Sequence, residues 1–143
     1  MQRDVYLGRV TLHGEEHIET LGAAVNYADA LTSLERFKEA KSLLRKVTPV
    51  TRQALGENHE DTLRLRWIYA TALCRDDGAT HDDLREAVTT MEEVEQIFQR
   101  VFGRAHPLTE GIGGDLRLAR ATLAGHNVAV ESLRELVGAM GTA

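Results

Sequence analysis

A chain of 143 residues suits one domain that can bury roughly 70% of its unfolded surface. Hydrophobic residues make up 43% but aromatic ones only 5%, which favours helices in close contact through small side chains over a thick aromatic core. A formal charge of −5 with dispersed Lys and Arg excludes general nucleic-acid binding, which rests on neutralising phosphates; a single cysteine, Cys74, excludes an internal disulfide, and no run approaches the ~20 apolar residues of a membrane span.

The opening "MQRDVYLGRV" contains an acid and lacks the long apolar core of a signal peptide. The cytoplasm is the expected compartment, or an organelle if a transit peptide was removed before Met1. Residues 1–13 align with the second half of a second helix, so the chain is expected to begin in mid-repeat. At 14–20 stands "GEEHIET", which recurs as "GENHEDT" at 56–62 and "GRAHPLT" at 103–109. The shared phrase G-x-x-H-x-x-T has periods of 42 and 47 residues, a spacing that signals a solenoid of stacked units.

The first unit, 14–55, carries Leu21, Ala24, Val25, Ala28 and Leu31 at helical steps. "LERF" breaks that stripe, and a second helix carries Phe37, Ala40, Leu43, Leu44, Val47 and Val50 as far as Leu55. Pro49 inside it removes one hydrogen bond and is expected to kink it. In the second unit, 56–102, Leu63, Tyr69, Ala70 and Leu73 replace Leu21, Tyr27, Ala28 and Leu31. "LREA" at 84–87 replaces "FKEA" at 37–40, and Met91 and Val94 answer Leu44 and Val47. Five extra residues fall in "CRDDGATHDD" between the helices, where Thr80 or an Asp is expected to cap the next helix. The third unit, 103–143, is a degenerate repeat or a C-terminal cap. Ile112, Leu116, Ala119 and Leu123 keep helical spacing, but Arg117 replaces Ala28 and Ala70, which argues against close helix approach there.

Small residues at Ala28, Ala40, Ala70 and Ala87 within such pairs resemble tetratricopeptide repeats. The longer period and the G-x-x-H-x-x-T-L phrase are similar to the kinesin-light-chain type, well over 14–102 and weakly beyond. "DDLREAVTT" and "GRAHPLTEGI" also resemble a large set of such proteins from unicellular algae. Two positions depart from the pattern: Ile68 where Asn26 gives the expected asparagine, and Arg117. The resemblance implies an all-α, right-handed α-solenoid of antiparallel helix pairs, about 2.5–3 repeats long. It also implies protein or peptide binding in a concave groove lined by the first helices, with no cofactor. It does not imply kinesin association, because no heavy-chain-binding coiled coil is present.

Within the phrase, each glycine follows an apolar helix end and is expected in a left-handed conformation, while Pro107 suits a first helical position. His17, His59 and His106 are therefore expected as entry residues, with Thr20, Thr62 and Thr109 in the first turn. Equivalent histidines of successive units lie a helix packing distance of ~8–10 Å or more apart, too far to share a zinc at ~2 Å per ligand. His13 and His17 straddle Gly14 and are not expected to share a face. Cys74 lacks a nucleophile's context, the acidic pairs lack calcium-loop spacing, and "GIGG" at 111–114 is not a phosphate loop. No catalytic and no metal residue is expected.

Side chains off the packed stripe should face a ligand: Asn26, Asp29 and Ser33, with Val25 at the edge, then Arg64, Trp67, Thr71 and Arg75. By the resemblance Asn26 holds ligand backbone. Trp67 is either a binding anchor or an inter-repeat wedge, and Arg64, Arg66 and Arg75 suggest an acidic segment as ligand. Two readings follow. One is an adaptor that takes a peptide in its groove; the other is a constitutive subunit of a larger multi-subunit assembly, docked through its open ends or convex face.

Overall fold

The computed structural model describes residues 1–141. They form six helices and no strand: α1 (Gln2–His13), α2 (Ile18–Ser33), α3 (Phe37–Leu55), α4 (Glu60–Arg75), α5 (His81–Phe102) and α6 (Pro107–Gly141). Each helix packs on the next, and α2 also packs on α4 and α4 on α6. That skip of one element places the first helices of successive units side by side, which is the architecture of an all-α, tetratricopeptide-like solenoid.

Two cores run through the stack. The first joins Tyr6 of α1, the α2 stripe Leu21, Ala24, Val25, Ala28 and Leu31, and Ala40, Leu44 and Val47 of α3 to Leu65 and Ile68 of α4. The second joins Leu63, Ala70 and Leu73 on the other side of α4 to α5 and to Ile112, Leu116 and Ala119 of α6. Helix α4 is thus buried on two faces and mortars the units together. Ala28, Ala40, Ala70 and Ala87 are all fully buried; a longer side chain at any of them would have to displace a packed neighbour. Val25, expected at the edge of a groove, is instead buried in the first core. Its helical step places it with Leu21 and Ala28, so it never reaches the free face. Pro49 lies exposed in α3, which continues through it to Leu55 as a single helix.

The joints between units repeat. Gly14, Gly56 and Gly103 have φ of 84, 95 and 90° with ψ of 169, 165 and 161°. The positive φ is as expected, but ψ is extended, outside the left-handed helical region and essentially restricted to glycine. His17 caps α2, its Nδ1 accepting the Glu19 N–H at 3.1 Å. His59 does the same for α4 with the Asp61 N–H at 3.0 Å, and His106 Nδ1 accepts the Leu108 N–H at 3.1 Å just before α6. The threonines are buried below: Thr20 donates to the Arg9 carbonyl at 3.1 Å and Thr62 to the Gly56 carbonyl at 2.8 Å. Thr109 finds no acceptor among the described residues.

Inside the pairs the turns differ. The first is Leu34–Arg36, with Glu35 at φ 61° and the Arg36 N–H donating to the Leu31 carbonyl at 2.9 Å. The second absorbs its insertion in the 76–80 loop. Asp76 accepts the Gly78 N–H at 3.0 Å and an ion pair from Lys41 of α3 at 2.9 Å. Thr80 and Asp83 then form a reciprocal capping box at the start of α5, as a Thr in that position predicts.

The third unit has no turn. Helix α6 runs 35 residues from Pro107 to Gly141, about 52 Å at 1.5 Å per residue. Counted from the phrase glycines, Ile112 and Ala119 occupy the register of Leu65 and Ala72, the face turned toward the preceding unit. Glu110, Arg117 and Arg120 occupy that of Leu63, Ala70 and Leu73, and they are exposed. Helix α6 therefore approaches its neighbours closely through Ala119 and offers no apolar seat for a second helix of its own.

Two stability tests follow from the joints. Gly56→Ala should cost about 1–3 kcal/mol, because the backbone angle alone forbids a side chain there although space around it is open. Gly22→Ala, inside α2 with equally open space, should gain about 0.5–1 kcal/mol; urea melts of both variants check the pair. The Lys41 ammonium beside Asp76, with the Gly78 N–H, holds that carboxyl below its ordinary value. Its contribution is therefore complete at neutral pH and is lost as pH falls through about 4 toward the folded value. Asp76→Asn should lower Tm at pH 7 and flatten its decline in acid.

Candidate functional site

The free faces of α2, α4 and α6 enclose a concavity of ≈ 320 Å³. Helix α2 contributes Asp29, Thr32 and Ser33; α4 contributes Arg64, Trp67, Ile68, Thr71 and Arg75; α6 contributes Leu108 and Asp115. Of the side chains expected to face a ligand, Asp29, Ser33, Arg64, Trp67, Thr71 and Arg75 converge on this one surface. Asn26, one turn before Asp29, is exposed but is not part of its wall. Arg66 turns away: it pairs with Glu93 of α5 and lines a separate ≈ 260 Å³ cleft with Leu44, Thr48 and Tyr69. A step of two residues from Arg64 rotates a helical side chain by about 200°, so both arginines cannot share a face.

Trp67 anchors the groove. Its Nε1 donates to Asp115 Oδ2 at 2.8 Å, and its ring meets Phe98 edge to face at 6.1 Å between centroids. A Cβ on Gly111 would stand 3.0 Å from the Trp67 ring, so the glycine lets α6 approach it. Trp67 is half-buried between units and still forms part of the groove wall. The "GIGG" glycines are thus helical residues of a packing face. Asp115 was not expected here, though it stands twelve residues after Gly103 as Asn26 stands twelve after Gly14. That register was its signal.

The electrostatics of the groove are mixed. Arg64 is half-buried and makes no ion pair among the described residues, while Arg75 lies 3.9 Å from exposed Glu35 and 5.7 Å over the Phe37 ring. Asp115 is engaged by the indole, and the Thr71 hydroxyl donates to the Trp67 carbonyl at 3.0 Å. Asp29 is exposed and unpaired among the described residues. Nearby, burial pushes the Cys74 thiol up, only partly offset by the Thr122 hydroxyl. A thiol held protonated is a poor nucleophile.

His13 and His17 correct an expectation. Although Gly14 separates them, the joint folds back and stacks their rings at 4.5 Å, as Phe102 stacks on His106 at 4.7 Å. With Glu19, 3.0 Å from His13, they gather three potential metal ligands within 4.8 Å. A neutral imidazole has one lone pair, and His17 gives its own to the Glu19 N–H. Metal binding there would cost the α2 cap and compete with Arg9, which pairs with Glu19 at 3.1 Å.

Replacing Asp115 by Ala should leave the indole N–H without its carboxylate, lowering stability by about 1–2 kcal/mol. Because Trp67 is the only tryptophan, its emission maximum should shift to the red, read directly by fluorescence.

No helix among the described residues is long and apolar enough to cross a membrane. No curated protein matches the sequence. Residues 20–61 match the tetratricopeptide repeat model, a span that runs from Thr20 in the first turn of α2 through all of α3 to Asp61 in the next phrase. Repeats of that family generally mediate protein–protein interaction, and this segment is similar to them.

Proposed function

We propose that the chain is a non-catalytic adaptor, of the kinesin-light-chain type and cytoplasmic or within an organelle, that takes a peptide segment in its concave groove. One observation carries this reading. Three successive first helices bring polar, aromatic and aliphatic side chains to a single open concavity in which Arg64 makes no ion pair among the described residues. A half-buried guanidinium without a carboxylate is a site for one, and its planar fork accepts it in two hydrogen bonds. Arg75, held only loosely by Glu35, offers a second, while Ile68, Leu108 and the Trp67 ring supply an apolar seat between them. The ligand is therefore an acidic segment with an apolar anchor, its backbone running toward Asn26. Asp29 at the rim disfavours a second acid beside it, so the acidic residues of the ligand sit over α4.

The alternative is a constitutive subunit docked through its open ends or convex face. Leu12 and Ile18 flanking the first joint and Leu34 in the first turn, each more than half exposed, are the apolar groups that such a contact would cover.

Fluorescence anisotropy with labelled peptides that pair leucine with glutamate, or leucine with lysine, separates the two. The glutamate series should bind at least about tenfold more tightly, and Arg64→Glu should reverse that order, since a close like-charge contact costs more than 1.4 kcal/mol. Equal, weak binding of both series by a folded protein would favour the docked subunit.

A further inference from the structure

Helix α5 runs antiparallel along α6, from Phe102 beside His106 to His81, whose ring stacks on His126 at 5.4 Å. Past His126 the residues of α6 as far as Gly141 are exposed, save the half-buried Val130. The apolar spacing nevertheless continues: Leu116, Ala119, Leu123 and His126, under α5, are followed at alternate steps of four and three by Val130, Leu133, Val137 and Met140. Leu133, Val137 and Met140 are 61%, 67% and 73% exposed, and Leu136 beside them 61%. Such a stripe presents on the order of 500 Å² of apolar surface on a projecting helix, near the upper end for a monomer.

We propose that this stripe is the seam of an antiparallel homodimer, in which residues 126–140 of two copies pair about a two-fold axis near Leu133. Two stripes face to face remove about 1,000 Å² from water, the lower bound for a specific interface. The 4–3 spacing is that of a two-helix seam, and it is nearly self-complementary when reversed. Leu133 meets Leu133 and Val130 meets Leu136 and Val137, while Met140 of the second copy ends beside the His81–His126 stack. The partner's helix then continues the line of α5, so the interface extends one already present within each copy. Parallel pairing fails on sterics, because the partner's α6 before His126 would occupy the volume of α5.

Other occupants are disfavoured by charge. Folding back onto the start of α6 would set the stripe against Glu110, Arg117 and Arg120. An anionic lipid surface would meet Glu131 and Glu135 with Arg134 alone to attract it.

Sedimentation equilibrium of the full chain should show a monomer–dimer equilibrium with a micromolar dissociation constant. The double variant Leu133→Glu, Val137→Glu should stay monomeric at about 100 µM with unchanged helicity, since both positions are solvent-exposed in the single copy. In a Cys74→Ser background, Leu133→Cys should form a disulfide-linked dimer. Met140→Cys should not, because those residues lie about 20 Å apart in the antiparallel pair. A wild-type monomer at about 100 µM, a dimer that survives both glutamates, or crosslinking at Met140→Cys would each overturn the proposal.

Discussion

The backbone at three glycines sets the geometry of everything else. A φ near +90° with ψ near 165° ends one helix and turns the chain abruptly into the next, and side chains other than hydrogen are disfavoured there. Histidine then satisfies a free N–H at each helix start, and a buried threonine sits in the first turn beneath it. Histidine is uncommon in that role, which Ser, Thr, Asp and Asn usually fill. Its ring also stacks on the last side chain of the preceding helix in two of the three joints. One residue thereby caps the entering helix and packs on the departing one, which holds the angle between units as well as their ends.

Because the joints repeat, α2, α4 and α6 present equivalent faces to one side, and the groove is the consequence. Small residues bring the helices close, and the residual differences between units then give the groove its character. Where the first unit has Asn26 the second has Ile68, whose burial closes the seam between units, and the third has Asp115, which fixes Trp67. One register position thus serves in turn as an exposed amide, a core residue and an anchor for the wall.

The period of the phrase and the helical spacing of apolar residues made the fold legible, since both follow from local backbone needs and from burial on one face. Asp29, Arg64, Trp67, Thr71 and Arg75 were legible as groove residues for the same reason: whatever lies off the packed stripe of a first helix faces the concavity. Two features were hidden. Arg66 is two residues from Arg64, and composition near Trp67 says nothing about which of them turns outward. The stacking of His13 on His17 depends on ψ at Gly14, an angle that the identity of the residue permits without specifying.

The third unit shows how a change of one face redirects an element. Its residues 126–141 keep the pattern of a second helix: Ala129, Leu133 and Leu136 stand in the register of Ala40, Leu44 and Val47. What is missing is the receiving surface, where Leu21, Ala28 and Leu31 have become Glu110, Arg117 and Arg120. A turn at 124–125 would bury Glu110, Arg117 and Arg120, the last with its Glu92 partner, under leucine, and taking such charges out of water costs several kcal/mol. Ala124 and Gly125 do not compel a turn either, since neither imposes an angle incompatible with a helix. The helix therefore continues, and the apolar face meant for an internal partner is displayed outside. The same substitutions that leave α6 without an apolar seat for its own second half thus display the stripe proposed to meet a second copy.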